Sequence, residues 1–127
     1  MMTEPDSKSQ IVILCSDMLF LSKITGTARQ LGYSFCTALS CDKAAESLLN
    51  ETRQLLLIDL NQQNLDWELL TSIHQGDASL TSIAFGPHID TERLNKARAA
   101  GCTQVIPRSQ FSAQLPQLMD AALTEAA

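Results

Sequence analysis

The sequence predicts an α/β domain in which a parallel five-stranded sheet carries helices on both faces. Three observations lead there. Short apolar runs alternate five times with segments of helical periodicity along 127 residues. The runs Ile11–Cys15 and Leu55–Ile58 are apolar at every position, as in strands covered on both sides. With 45% hydrophobic and 18% charged residues, the chain has the composition and length of one globular domain.

The first strand is Ile11–Cys15. A helix over Met18–Leu31 follows, with Phe20, Ile24, Thr27 and Leu31 on one face, Asp17 capping its first turn and Gly32 as a left-handed stop. Tyr33–Ala38 is shorter and more polar, which suits an edge strand. Asp42–Asn50 reads as the second helix, with Ala45, Leu48 and Leu49 inward, and Gln54–Leu60 as the third strand. Leu65, Leu69, Leu70 and Ile73 mark the apolar face of a third helix, with Asp66 near its start. Thr81–Phe85 is the fourth strand, broken by Gly86-Pro87. Asp90–Ala100 is the fourth helix, with Leu94 and Ala97 inward and Gly101 as its stop. Thr103–Ile106 is the fifth strand, and the last helix runs from Phe111 to Leu123 with Leu115, Leu118 and Met119 apolar.

Five such units commonly adopt strand order 2-1-3-4-5 with right-handed crossovers, the flavodoxin-like doubly wound arrangement. That order reverses between the first and third strands, so the crevice lies at the carboxyl ends of those strands. Cys15, Ser16 and Asp17 then face Asp59, and later loops bring Gly86 and Arg108. Asp59 ends an apolar run and opens the polar stretch Asn61-Gln62-Gln63-Asn64.

A net charge of −5 argues against nucleic acid as a partner, because phosphate binding needs a basic face. The apolar runs are far too short to span a bilayer. Residues 1–10 are polar and lack a signal-peptide apolar segment, so they read as a flexible leader on a single domain, residues 11–127, of a cytoplasmic protein. Cys15, Cys36, Cys41 and Cys102 form no CxxC pair and no cluster with histidine; they read as reduced core residues rather than a zinc site.

From Ile11 to Leu123 the chain resembles the receiver domain of two-component response regulators, the CheY-like family. The segment Leu57-Ile58-Asp59-Leu60-Asn61-Gln62-Gln63-Asn64-Leu65-Asp66 is similar to the stretch that carries the phospho-accepting aspartate. Leu31-Gly32-Tyr33 and Ala100-Gly101 are similar to two further family landmarks. The resemblance implies that Asp59 is the phospho-acceptor candidate. It also exposes departures. Counting back from Gly32, Cys15 and Ser16 stand where the family has the two acids that hold Mg²⁺, and Asp17 falls beside them. Gly86 replaces the hydroxyl residue that ends the fourth strand, and Val105 replaces the switch aromatic. Arg108 replaces the family's lysine in the fifth-strand loop and Ser109 the proline after it; Gln63 and Trp67 replace the family's Pro and Gly near Asp59.

Phosphorylating a carboxylate brings a dianionic group against an anion, and Mg²⁺ must neutralise it. Asp17, Asp59 and the carbonyl of Asn61 are the weak Mg²⁺ candidates, since a neutral hydroxyl at Ser16 and a soft thiol at Cys15 cannot replace carboxylates. Arg108 keeps a positive charge with a different shape. The leading expectation is therefore a stand-alone receiver-like module with impaired or absent Mg²⁺-dependent phosphorylation, a pseudo-receiver with no enzymatic activity of its own. It would act through a protein partner, either a histidine kinase or a downstream signalling protein. A homodimer through the fourth helix, fifth strand and fifth helix is a further candidate, with Arg93, Lys96, Arg98 and Gln104 on that surface. The alternative is a functional phospho-receiver that accepts a phosphoryl group on Asp59. A third reading is a small-ligand binder using Asp59, His88 and Arg108. Trp67 reads either as a contact anchor or as packing over its own loop.

Overall fold

Apolar side chains on both faces of the strands organise the molecule. The computed structural model describes residues 10–48, 53–77 and 80–124. The order of elements is β1 (Ile11–Leu14), α1 (Met18–Leu31), β2 (Phe35–Ala38), α2 (Cys41–Ser47), β3 (Leu55–Asp59), α3 (Trp67–Gly76), β4 (Thr81–Gly86), α4 (Thr91–Ala99), β5 (Gln104–Pro107), α5 (Arg108–Ala113) and α6 (Leu115–Leu123). All strand pairings are parallel and the sheet order is β2-β1-β3-β4-β5, the expected topology.

Successive strand residues point to opposite faces, and the core divides accordingly. Ile11, Ile13, Leu55, Leu57, Ile83 and Phe85 pack with Ile24 and Ala28 of α1, Phe111 of α5, and Leu115 and Met119 of α6. Val12, Leu14, Leu56, Ile58 and Ala84 pack with Ala44 of α2, Leu70 of α3, and Leu94 and Ala97 of α4. The register pairs Leu14 with Ile58 and Asp59 with Phe85, so the β1, β3 and β4 ends lie side by side.

The helix ends follow local chemistry. Asp17, Ser40, Asp66 and Asp90 cap α1 to α4 with side-chain oxygens on backbone N–H groups. Gly32 is left-handed, with φ of 84°. The Tyr33 N–H donates to the Ala28 carbonyl at 2.9 Å, so Tyr33 belongs to the helix cap and β2 starts only at Phe35. The buried stripe of α1 is Ile24 and Ala28, with Phe20 partly buried against the core; Leu31 is exposed, and Thr27 turns its hydroxyl to the Lys23 carbonyl.

Other boundaries move as well. The second helix covers Cys41–Ser47 because Ser40 starts it and Leu48 is already extended; Leu49 and Asn50 lie outside the described residues. The single last helix is two. Pro116 has no N–H and its ring would clash with the Ser112 carbonyl in a continuous helix, so α5 stops and α6 restarts with the proline in its first turn. Of the proposed leader, Gln10 is tied to Ser34 by its backbone and side chain; residues 1–9 lie outside the described residues. Cys15 and Cys41 are buried, Cys36 and Cys102 half-buried, and all four are free thiols. Among the described residues, no helix is long and apolar enough to cross a membrane.

Candidate functional site

The crevice at the carboxyl end of the sheet brings together Cys15, Asp17, Asp59 and Arg108. Asp59 is the last residue of β3 and only 1% exposed. Its Oδ1 accepts the Asn61 N–H at 2.9 Å. Its Oδ2 accepts the Cys15 thiol at 3.4 Å and lies 3.7 Å from Arg108 Nη2. Asp17 spends Oδ1 on the N–H groups of Leu19 and Phe20, at 3.1 and 3.2 Å, and turns Oδ2 to the same Nη2 at 3.5 Å. A single guanidinium nitrogen therefore sits against both carboxylates.

Arg108 is held in that place by its neighbours. It opens α5 directly after Pro107, the last residue of β5. Its Cζ lies 4.8 Å from the centroid of the Phe20 ring, a cation–π geometry. Phe20 in turn stacks on Phe85 and Phe111 at 5.2 and 5.8 Å, and those two rings are 4.0 Å apart and nearly parallel, at 7°. The stack joins α1, β4 and α5 beneath the guanidinium. Arg108 Nε is buried with no hydrogen-bond partner.

Burial pushes the Cys15 thiol up from its ordinary 9.0 to about 12, and the Asp59 carboxylate adds to the effect. Cys15 is thus a neutral donor to Asp59. The sign of the linkage follows. A folded-state value above the unfolded one gives stability that is complete below about pH 9 and is lost as pH rises toward about 12, because the unfolded thiol ionises first. Cys15→Ala should therefore show a shallower loss of stability than the natural chain between about pH 8 and about pH 10.5 in urea denaturation. Cys41 and Cys102, also raised by burial, are common to both proteins, so the difference isolates Cys15. Equal slopes would remove this account of the thiol.

These donors do not fit Mg²⁺. The ion wants near-octahedral oxygen ligands. Asp17 Oδ1 is committed to its helix, Asp59 Oδ1 to the backbone, and both Oδ2 atoms to a cation. Cys15 offers a protonated thiol and Ser16 is an exposed neutral residue. The N–H that Asn61 donates to Asp59 leaves its carbonyl to offer, but one carbonyl does not make an octahedral oxygen shell, and a guanidinium beside both carboxylates repels a dication.

The remaining predicted residues are placed as follows. Gly86 ends β4, and a Cβ there would come within 3.0 Å of Leu60 Cβ, so a hydroxyl side chain would crowd that leucine. Val105 is half-buried in β5 opposite Ala84, packed against the cluster beneath α4. His88 is exposed in the turn after β4. Trp67 is half-buried and packs on the core. Lys96 pairs with Glu92 at 3.5 Å, Arg98 Nη1 donates to Asn95 at 2.8 Å, and Gln104 is exposed on the edge strand β5. Arg93 turns inward: its Nη1 donates to the carbonyls of Leu60 and Gln62 in the loop after Asp59, the latter at 3.2 Å. That loop is also fixed by Gln62 Nε2, which donates to the Leu39 carbonyl at 3.0 Å, and by Asn64, left-handed at φ of 64°. Sequence reasoning missed the roles of Arg93, Gln62 and Phe20. Each acts through partners 23 to 91 positions away in the chain, and local spacing carries no such signal.

No family model and no curated protein matches the sequence. Solved structures do match in shape. A CheY-like response regulator receiver domain protein from Methanospirillum hungatei JF-1 superposes with a TM-score of 0.68 at 19% identity, covering 88% of this chain and 94% of that one. The receiver domain of NtrX from Brucella abortus gives 0.73 at 19% identity over 91% and 99%. A response regulator receiver domain protein from Clostridium thermocellum gives 0.73 at 16% identity over 91% and 94%. Together with the parallel sheet in the order β2-β1-β3-β4-β5, these likenesses establish that the chain has the fold of a CheY-like response regulator receiver domain.

Proposed function

We propose that the protein is a receiver-type signalling module that works through protein contacts, with Mg²⁺-dependent phosphorylation of Asp59 impaired or absent. The observation that carries this reading is the position of Arg108. Its guanidinium lies against both Asp17 and Asp59, where phosphoryl transfer would need a divalent cation. The partner would be a histidine kinase or a downstream signalling protein, and the compartment the cytoplasm. The face made by α4, β5 and the last helical segment, now α5 and α6, with Arg98 and Gln104 exposed, is the candidate surface for that partner or for a second copy of the chain.

The test is incubation with acetyl phosphate, and separately beryllofluoride, with Mg²⁺ in the millimolar range. The expected result is an unchanged intact mass and unchanged amide shifts at Asp59 and Asn61. A mass gain of one phosphoryl group, lost in Asp59→Asn, would establish the alternative of a working phospho-receiver.

A further inference from the structure

The geometry points to a second binding site, for a small organic anion, in the groove between α1, the turn after β4 and α5. The ligand class is a carboxylate or phosphate monoester on an apolar body. The groove holds about 360 Å³, at the lower end of the range for small-ligand pockets. Its apolar lining is Phe20, Pro87 and Pro107; its polar lining is Arg108 with His88 and two serine hydroxyls, among them Ser112. No lining residue is acidic, in a chain whose net charge is −5.

Arg108 supplies the anchor. A guanidinium carries five N–H donors in a fixed fork. Asp17 and Asp59 engage Nη2 alone; Nε has no acceptor but is buried out of reach of the groove, so the two N–H groups of Nη1 are the donors left to a ligand. The side chain stays 29% exposed. A carboxylate or phosphate oxygen approaching from the groove meets donors that the aspartates leave unused, with the Phe20 ring and two prolines to cover its apolar part.

The larger cavity, about 400 Å³ beside α4, lacks this surplus of charge. Its Lys96 is paired with Glu92 and its Arg93 lies beside Asp90, with Arg93 Nη1 already taken by loop carbonyls.

An anion on Arg108 competes with the two aspartates for one cation. By reciprocity, removing the Asp59 charge strengthens anion binding. The site does not require Asp59 to be phosphorylated.

The experiment titrates the full ¹⁵N-labelled chain with benzoate and with phenyl phosphate, using benzamide as the uncharged control. The expected result is saturable shifts at Phe20, His88, Arg108 and Ser112, with benzamide weaker by about tenfold or more. Arg108→Gln loses the charge preference and Asp59→Asn tightens binding. Ser112→Trp, one helical turn on from Arg108, fills the groove while keeping the guanidinium charge, and it abolishes the shifts while the thermal melt stays cooperative. If Arg108→Gln fails to fold, Ser112→Trp and the benzamide control decide. Absence of saturable shifts, equal binding of benzamide, or undiminished binding by folded Ser112→Trp would each overturn the site.

Discussion

Phe111→Ala is expected to lower stability by about 3–5 kcal/mol, the usual range for deleting a fully buried aromatic ring. A domain of this size has a total stability of only about 5–15 kcal/mol, so the variant should be close to unfolding at ordinary temperature. Phe111 is 0% exposed, lies flat on Phe85 at 4.0 Å, and is 5.8 Å from Phe20. Truncation removes apolar area and leaves a cavity against β4 that the sheet cannot collapse to fill. The measurement is urea denaturation, with Phe111→Leu as the variant that recovers much of the loss. A deficit below about 1 kcal/mol would show that the stack contributes little.

Arg108→Ala is expected to lower stability by about 2–4 kcal/mol, because it strands a buried carboxylate. Asp59 is 1% exposed and would keep only two neutral donors, the Asn61 N–H and the Cys15 thiol. The Phe20 ring would also lose its cation. The prediction is sharpened by pairing it with Asp59→Asn. In the double variant the charge that needed Arg108 is gone, so the two losses should fall short of additive by about 1 kcal/mol or more. Arg108→Lys keeps a charge but not the flat face over Phe20, and should lie between the natural chain and Arg108→Ala. Strict additivity in the cycle would mean that Asp59 and Arg108 do not interact.

The strand order was legible because five strand-like runs alternate with helical ones, a pattern that commonly adopts the order 2-1-3-4-5, and the continuous apolar runs Ile11 to Leu14 and Leu55 to Ile58 suit strands covered on both faces. From that order the meeting of Cys15, Asp17, Asp59 and Arg108 followed, since the topology dictates which strand ends are neighbours. The cap at Asp17 was equally readable, being local side-chain chemistry, whereas Asp66, placed only near a helix start, and Asp90, read as a helical residue, are caps as well. The failures have local or long-range causes. Pro116 was passed over inside an apolar periodicity that continues across it through Leu115, Leu118 and Met119. Leu31 shares the helical face of Ile24 yet is exposed, because it is the last residue of α1, at the Gly32 cap, and spacing does not show where a helix outruns the core. The atomic arrangement at the site was not readable at all. Which nitrogen of Arg108 meets which oxygen depends on Phe20, Phe85 and Phe111, three rings separated by up to 91 positions and brought together only by the finished sheet.

Arg93 has a mechanical consequence. Rooted in α4 and fastened to the carbonyls of Leu60 and Gln62, it ties the helix to the loop that follows Asp59. A protein that grips α4 from outside thereby pulls on the backbone next to the buried acid.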